Sequence, residues 1–379
     1  MERRPGLGLV TRNLKGSDVS EIGNGKMYEM LRNYVGLAKL YEVSGDMNFL
    51  NACLHAWKNI KDYHLNAAGG PRGGVGIHPE CFNVGYMFSP YSLSETCASM
   101  DWVRLNEELL KITGRAEFAD ELEWSMYNAI PGAMFPDGEG WIYHSRVNGK
   151  RERTSPLACC SSSGPIALES FTSVMYYDGH GRIAVNLYAP SRNRFMVKGK
   201  ELQVTQETGY PYSDTINVVI SASEKIKVPV WLRIPEWAKN YAVFINGTKT
   251  DLTPVRDGYV QPGDEWEGET TVTLVFPRNL RMVEKNREYN EKGWYLDDTT
   301  RFVALEYGPF VLSSQLKDDE QDPSPVHLTT DDIQALAGTI ARNDSSAFIL
   351  DSLLFTPYYK TGERRNGVYR KVWFKKSGK

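Results

Sequence analysis

Residues 28–60 read YEMLRNYVGLAKLYEVSGDMNFLNACLHAWKNI, and residues 97–130 read CASMDWVRLNEELLKITGRAEFADELEWSMYNAI. Set over each other with Gly45 on Gly114, both give a helix, a Ser/Thr-Gly break, a short turn and a second helix. Phe49 then falls on Phe118 and Asn59 on Asn128. In the second copy Trp102, Leu105, Leu109 and Ile112 are spaced three or four apart, which makes an apolar stripe on one helix face. Each first helix ends at a glycine, suited to the left-handed position after a helix where a side chain is costly. A helical hairpin buries its stripe only against neighbouring hairpins, so the repeat predicts an α/α toroid. Two hairpins and a short helix after Pro165 are fewer than a closed toroid needs. The expectation is that the N-terminal half of the barrel precedes this chain.

From about Gly181 the period changes. GRIAVNLYAPS (181–191), FMVKGKELQVTQET (195–208), TINVVISAS (215–223), IKVPVWLRIPEW (226–237), YAVFING (241–247) and ETTVTLVFP (269–277) are short alternating or apolar runs separated by Gly, Pro, Asn and Asp. That spacing predicts an antiparallel β-sandwich. The fold class expected is therefore α+β and multidomain, a partial toroid followed by a sandwich. The divisions fall at 1–177 for the helical part, 178–315 for the sandwich, and 316–379 for a polar linker and additional strands such as FILDSLLFTPYYK and GVYRKVWFKK.

The 379 residues exceed one ordinary core. With 44 basic against 47 acidic residues, net charge −3, nothing points to nucleic acid or an anionic membrane as partner. No run approaches the roughly 20 apolar residues of a membrane span. The opening MERRPGLGLVTRNLKG carries no apolar leader, and the compartment is left unassigned. Five cysteines, an odd number in a large chain, do not read as a disulfide framework.

Between the hairpins, residues 66–100 form a long Gly- and Pro-rich segment, the kind of loop that is usually functional when held between strong elements. It contains Glu80, Cys81, Glu95 and Cys97. Ser92 and Glu95 are spaced as a capping box, which puts Glu95 and Cys97 at the start of a helix. Cys159 and Cys160, in PLACCSSSGP (156–165), lead into a helix with Pro165 near its first turn. A helix N-terminus favours thiolates, so the pair is expected to be more acidic than an ordinary thiol. Glu95, Cys97, Cys159 and Cys160 offer one carboxylate and three thiolates, a set suited to tetrahedral zinc. A strained vicinal disulfide and a plain small-residue contact are the competing readings of the pair. Cys53, on a helix face, is expected in the core, and Cys81 is unassigned.

YEMLRNYVGLAKLYEVSGD, SETCAS (94–99), ITGRAEFADELEWSMYNAI (112–130) and CCSSSGP (159–165) together resemble the β-L-arabinofuranosidase family of glycoside hydrolases, over about residues 24–315 and in the same order. The SSSGP ending resembles a less-characterised branch. The resemblance implies an (α/α)6 barrel followed by β-sandwich domains, and a retaining hydrolase of β-L-arabinofuranosides or a related sugar with a zinc-bound cysteine as nucleophile. It implies Cys159 as nucleophile and ligand, Cys160, Cys97 and Glu95 as the other ligands of Zn2+, Glu80 as acid/base, and Tyr143 lining the sugar pocket. Lys26 stands where family members commonly have a histidine and is read as a substrate-binding residue. Ile77, Pro79 and Phe82 are expected to raise the Glu80 carboxyl by desolvation, as a proton donor requires. The alternative is a catalytically silent carbohydrate-binding or structural protein with a structural zinc. A cysteine peptidase is the weakest reading, since no histidine sits in a partner motif.

Overall fold

The computed structural model describes residues 8–75, 78–151, 158–254, 258–285, 288–289, 295–297, 301–316, 327–328, 347–350, 353–361 and 369–376. They divide into two compact units. One comprises Met1–Glu108, Trp124–Leu168 and Leu280–Lys379, the other Leu109–Glu123 and Glu169–Asn279. The result is an α+β multidomain chain.

The first unit opens with α1 (Leu9–Leu14), α2 (Met27–Ser44) and α3 (Met47–Tyr63). After a long loop, β1 (Leu93–Glu95) runs directly into α4 (Thr96–Thr113), followed by α5 (Ala116–Tyr127), α6 (Ala129–Ala133), β2 (His144–Arg146), β3 (Gly149–Lys150) and α7 (Cys160–Val174); the end of α4, most of α5 and the end of α7 belong to the second unit. The two hairpins of the repeat are α2/α3 and α4/α5. Their break glycines have φ of 69° and 67° at Gly45 and Gly114, a conformation an L side chain adopts only with strain. Apolar burial closes the first hairpin: Leu31, Tyr34, Ala38, Ala52, Cys53 and Ile60 are fully enclosed, each large side chain contributing about 1.5–3 kcal/mol. Trp57 stacks on Trp102 at 6.1 Å and donates Nε1 to Asn106 at 2.6 Å.

Residues 64–75 and 78–92 are pinned by side chains together with isolated backbone pairs. Arg72, buried, donates to the carbonyls of Tyr63, Leu65 and Met87. Asn83 accepts from Val75 N and donates to Met87 O. Gly73 pairs with Leu93 in both directions, and a Cβ on it would lie 2.0 Å from Cys81 O. The capping box does not form. Glu95 closes a strand paired with His144, and Ser92 accepts from Asn83 Nδ2 at 3.3 Å instead. Helix α7 starts at Cys160, so Pro165 lies inside it rather than in its first turn. The α7 backbone approaches the Trp141 ring so closely that a Cβ on Gly164 would stand 2.1 Å from it.

The second unit carries β4 (Tyr176–Gly179), β5 (Arg182–Val185), β6 (Ser191–Val197), β7 (Lys200–Thr208), β8 (Thr215–Arg233), β9 (Ala242–Ile245), β10 (Thr248–Thr250) and β11 (Tyr259–Val275). They join in one eight-stranded sheet, β10-β9-β11-β8-β5-β4, with β7 also on β8 and β6 on β7. Strand β8 pairs with β7 through Ile216–Ala222 and with β5 through Val230–Leu232. The β5 pairing is parallel, a departure from the all-antiparallel expectation. Arg233, fully buried, holds Asp120 at 2.5 Å and Glu123 at 2.6 Å, and Tyr210 and Trp237 donate to the same Glu123 carboxylate. A buried guanidinium is tolerated on these terms, paired and hydrogen-bonded throughout.

The chain then returns to the first unit with β12 (Leu280–Lys285), β13 (Glu288–Tyr289), β14 (Tyr295–Asp297), β15 (Phe302–Tyr307), β16 (Phe310–Leu316), β17 (His327–Leu328), β18 (Phe348–Leu350), β19 (Leu353–Pro357), β20 (Tyr369–Lys371) and β21 (Phe374–Lys376). Strands β15 and β16, read from sequence as the end of the 178–315 run, lie in a nine-stranded sheet with β12, β17 to β21 and β3. The tail carries strands β18 to β21. The polar stretch before them falls largely outside the described residues. Asn128 ties this sheet to the helices, donating to Pro309 O and accepting from Val311 N at 2.8 Å each. Among the described residues no helix is long and apolar enough to cross a membrane.

Two outcomes follow for stability. His64 is buried with Nε2 3.1 Å from Asp18 Oδ2. Burial, with the Arg72 charge, holds it below its ordinary 6.5 against the pull of Asp18. A base with a depressed folded pKa contributes stability that is present above 6.5 and lost as pH falls toward the lower folded value. The midpoint of thermal unfolding should drop below pH 6.5, and His64→Gln should show less of that drop. Gly164→Ala should cost about 1–3 kcal/mol, the usual overpacking penalty, read by denaturant unfolding.

Candidate functional site

The segment Trp141–His144 brings two helix starts together. Thr96, first residue of α4, donates its N–H to Tyr143 O at 3.1 Å and its hydroxyl to Ile142 O at 2.6 Å. Cys160, first residue of α7, directs Sγ to Tyr143 O at 3.8 Å, and Gly164 lets the same helix lie against Trp141. The cysteines of the two helices thereby meet. Cys97 Sγ is 3.1 Å from Cys159 Sγ and 3.3 Å from Cys160 Sγ, and Ser163 donates to Cys97 Sγ at 3.3 Å. With a Glu95 oxygen, the ligand atoms of Glu95, Cys97, Cys159 and Cys160 all lie within 4.8 Å of one another.

All five cysteines are free, so the vicinal pair is not a disulfide. Cys159 is exposed while Cys97, Cys160 and Glu95 are buried. Cys159 lacks the acidity expected of it. Burial, then contact with Cys97, pushes the Cys159 thiol up, and contact with Cys160, then burial, pushes Cys97 up. Crowding and desolvation outweigh the helix N-terminus because a neutral thiol is the cheapest state for packed sulfur. Burial, followed by the Glu80 charge, raises the Glu95 carboxyl to about 7. Its Oε2 is buried with no hydrogen-bond partner among the described residues. A buried orphan acceptor beside three clustered sulfurs fits a thiophilic divalent cation, which would favour the ionised form of every group in the set.

Glu80 sits beside this cluster, its loop zipped to the start of α2 by Met27 N–H on Glu80 O (2.8 Å) and Phe82 N–H on Gly25 O (2.9 Å). Oε1 accepts from Tyr143 Oη at 3.0 Å and lies 3.3 Å from His144 Nε2. Oε2 is 3.1 Å from Lys26 Nζ, which also holds Glu29 Oε1 at 2.9 Å. The carboxyl is lowered, not raised. Burial pushes it up, but hydrogen bonds from Lys26 and Tyr143 and the charges of Lys26 and His144 outweigh burial and hold it below its ordinary 4.5. Of the apolar neighbours expected to raise it, Ile77 lies outside the described residues. Burial and the bond to Glu80 in turn raise Tyr143, and burial lowers His144 against the pull of Glu80.

Every site residue read from sequence is thus drawn into one region: the four of the cluster, and Glu80 with Tyr143 and Lys26. Sequence reasoning missed His144, Glu29 and Ser163. His144 stands next to Tyr143, Glu29 one turn after Lys26, and Ser163 one turn after Cys159, so proximity to residues already chosen was the available signal. Cys81, buried, directs Sγ to Asn24 O at 3.7 Å and takes no part in the cluster.

Residues 21–173 match the family model for the β-L-arabinofuranosidase GH127 catalytic domain, and residues 182–278 the GH127 middle domain. A non-reducing end β-L-arabinofuranosidase of Bifidobacterium longum subsp. longum is 23% identical over 317 residues, 76% of this chain and 45% of that protein. The chain thus spans about half the length of this curated relative. A GH127 β-L-arabinofuranosidase of Geobacillus stearothermophilus T6 superposes with a TM-score of 0.76 at 22% identity, covering 93% of this chain and 61% of the other. A second GH127 β-arabinofuranosidase gives 0.77 at 23%, covering 97% and 64%. With consecutive catalytic and middle domains matched and the fold shared, the chain belongs to the GH127 β-L-arabinofuranosidase family.

Proposed function

We propose that the chain carries the catalytic apparatus of a retaining glycoside hydrolase acting on β-L-arabinofuranosides or a related sugar. Its helical hairpins are read as part of an (α/α)6 toroid. Glu95, Cys97, Cys159 and Cys160 would hold Zn2+, the metal that three sulfurs and one carboxylate suit best. The observation carrying the reading is the arrangement of that cluster, with one exposed sulfur, Cys159, among buried partners, and a second carboxylate, Glu80, near enough to Glu95 to raise it.

When bound, the metal keeps the cysteines ionised at neutral pH. Cys159 Sγ attacks the anomeric carbon while Glu80 gives a proton to the departing oxygen. The C–O bond breaks as the C–S bond forms. Glu80 then takes a proton from water, whose oxygen displaces Cys159 and restores the sugar's configuration. Tyr143 orients Glu80 through its 3.0 Å hydrogen bond, and Lys26 is placed to meet a sugar hydroxyl. The second reading, a silent protein with a structural zinc, is favoured by one observation: Glu80 is held in its ionised form, the wrong state for a resting proton donor.

In the full-length protein, Glu80→Gln and Cys159→Ser should each lower kcat on an aryl β-L-arabinofuranoside by at least about 10²-fold. Unchanged turnover in both would sink the hydrolase reading and leave the silent one. Elemental analysis of the purified chain should give one zinc per chain, with Cys97→Ser and Cys160→Ser losing it. Absence of metal in the parent chain removes both readings of the site.

A further inference from the structure

Both oxygens of Glu80 are filled by donors, Oε1 by Tyr143 and His144 and Oε2 by Lys26. Oε2 keeps a second lone pair, but an ammonium 3.1 Å away opposes its protonation. Glu80 becomes an acid more readily once a donor leaves, and the three differ in freedom. Tyr143 is fixed through its carbonyl by Thr96 and packs edge-on against His144 at 4.4 Å, while His144 is in ladder register with Glu95. Lys26 is a long side chain, one third exposed, with a second carboxylate in reach. Glu29 has spare capacity there, since its Oε2 is buried without a hydrogen-bond partner among the described residues.

We propose that Lys26 and Glu29 are positioning residues for Glu80: Lys26 is a shared ammonium that moves from Glu80 onto Glu29, and the move frees Glu80 Oε2 to take a proton. The proton comes from solvent and Lys26 stays an ammonium throughout, so the trio gains one positive charge. The groups facing Glu80 are Lys26 and Glu29 from the start of α2, Tyr143 and His144 from β2 and the residue before it, and Glu95 from β1. The Lys26 contact has an alternative acceptor already in place, Glu29 Oε1 at 2.9 Å. The inference rests on the hydrolase reading for its purpose, though not for its geometry.

The test is a carboxyl titration of the chain carrying ¹³C-labelled glutamate, with the Glu80 signal assigned by its loss in Glu80→Gln. Lys26→Met should raise the Glu80 midpoint by about one pH unit or more, the usual effect of removing an adjacent opposite charge, and Lys26→Arg should restore it. Glu29→Gln should lower the midpoint, because the ammonium then has a single acceptor, and should do so far less in a Lys26→Met background. An equal Glu29→Gln shift with and without Lys26, or no shift at all, overturns the proposal. The basic limb of kcat/KM should move with the midpoint in the full-length protein. If the midpoints move and no arabinofuranoside is turned over, the hydrolase reading fails and the shared ammonium stands. If turnover is found and the midpoints stay fixed, the reverse holds.

Discussion

The four residues from Trp141 to His144 hold the site together, and they do so mostly with backbone. Two helix starts far apart in sequence converge on that segment. The first turn of α4 hydrogen-bonds to its carbonyls, and α7 lies against its tryptophan at a glycine. The sulfur contacts near 3 Å are a consequence of those approaches. Remove the space at Gly164 or the Thr96 bonds and Cys97 and Cys159 have no reason to meet. The same segment presents Tyr143 and His144 to Glu80, so one short stretch fixes both the sulfur cluster and the carboxylate beside it.

Much of this was legible in sequence where the information is local. Gly45 and Gly114 end helices because the left-handed conformation after a helix selects glycine, and the ligand set was visible because sulfur and carboxylate are rare enough to notice together. What was hidden depends on pairing at long range. Glu95 is spaced for a capping box, yet its backbone is claimed by the ladder to His144. Pro165 looks like a helix beginner, but the turn before it is recruited by the cysteine pair. Strands β15 and β16 alternate like their predecessors, and only hydrogen bonding to the C-terminal strands assigns them to another sheet.

The Glu80 environment shows why burial alone misjudges a carboxyl. Apolar surroundings raise a carboxyl, and burial does push Glu80 that way. Lys26, contributed by the start of another helix, reverses the balance because a hydrogen-bonded ammonium at 3.1 Å outweighs partial desolvation. Electrostatic partners from distant sequence are invisible until the chain is folded, while apolar neighbours in the same loop are plain at once.

One further property follows from the unequal burial of the cysteines. Cys53, Cys81, Cys97 and Cys160 are enclosed, while Cys159 faces solvent. The chain therefore carries a built-in chemical label site at the very sulfur of interest. An alkylating probe meets Cys159 before any other thiol, and its rate of reaction doubles as a gauge of how far that sulfur is ionised.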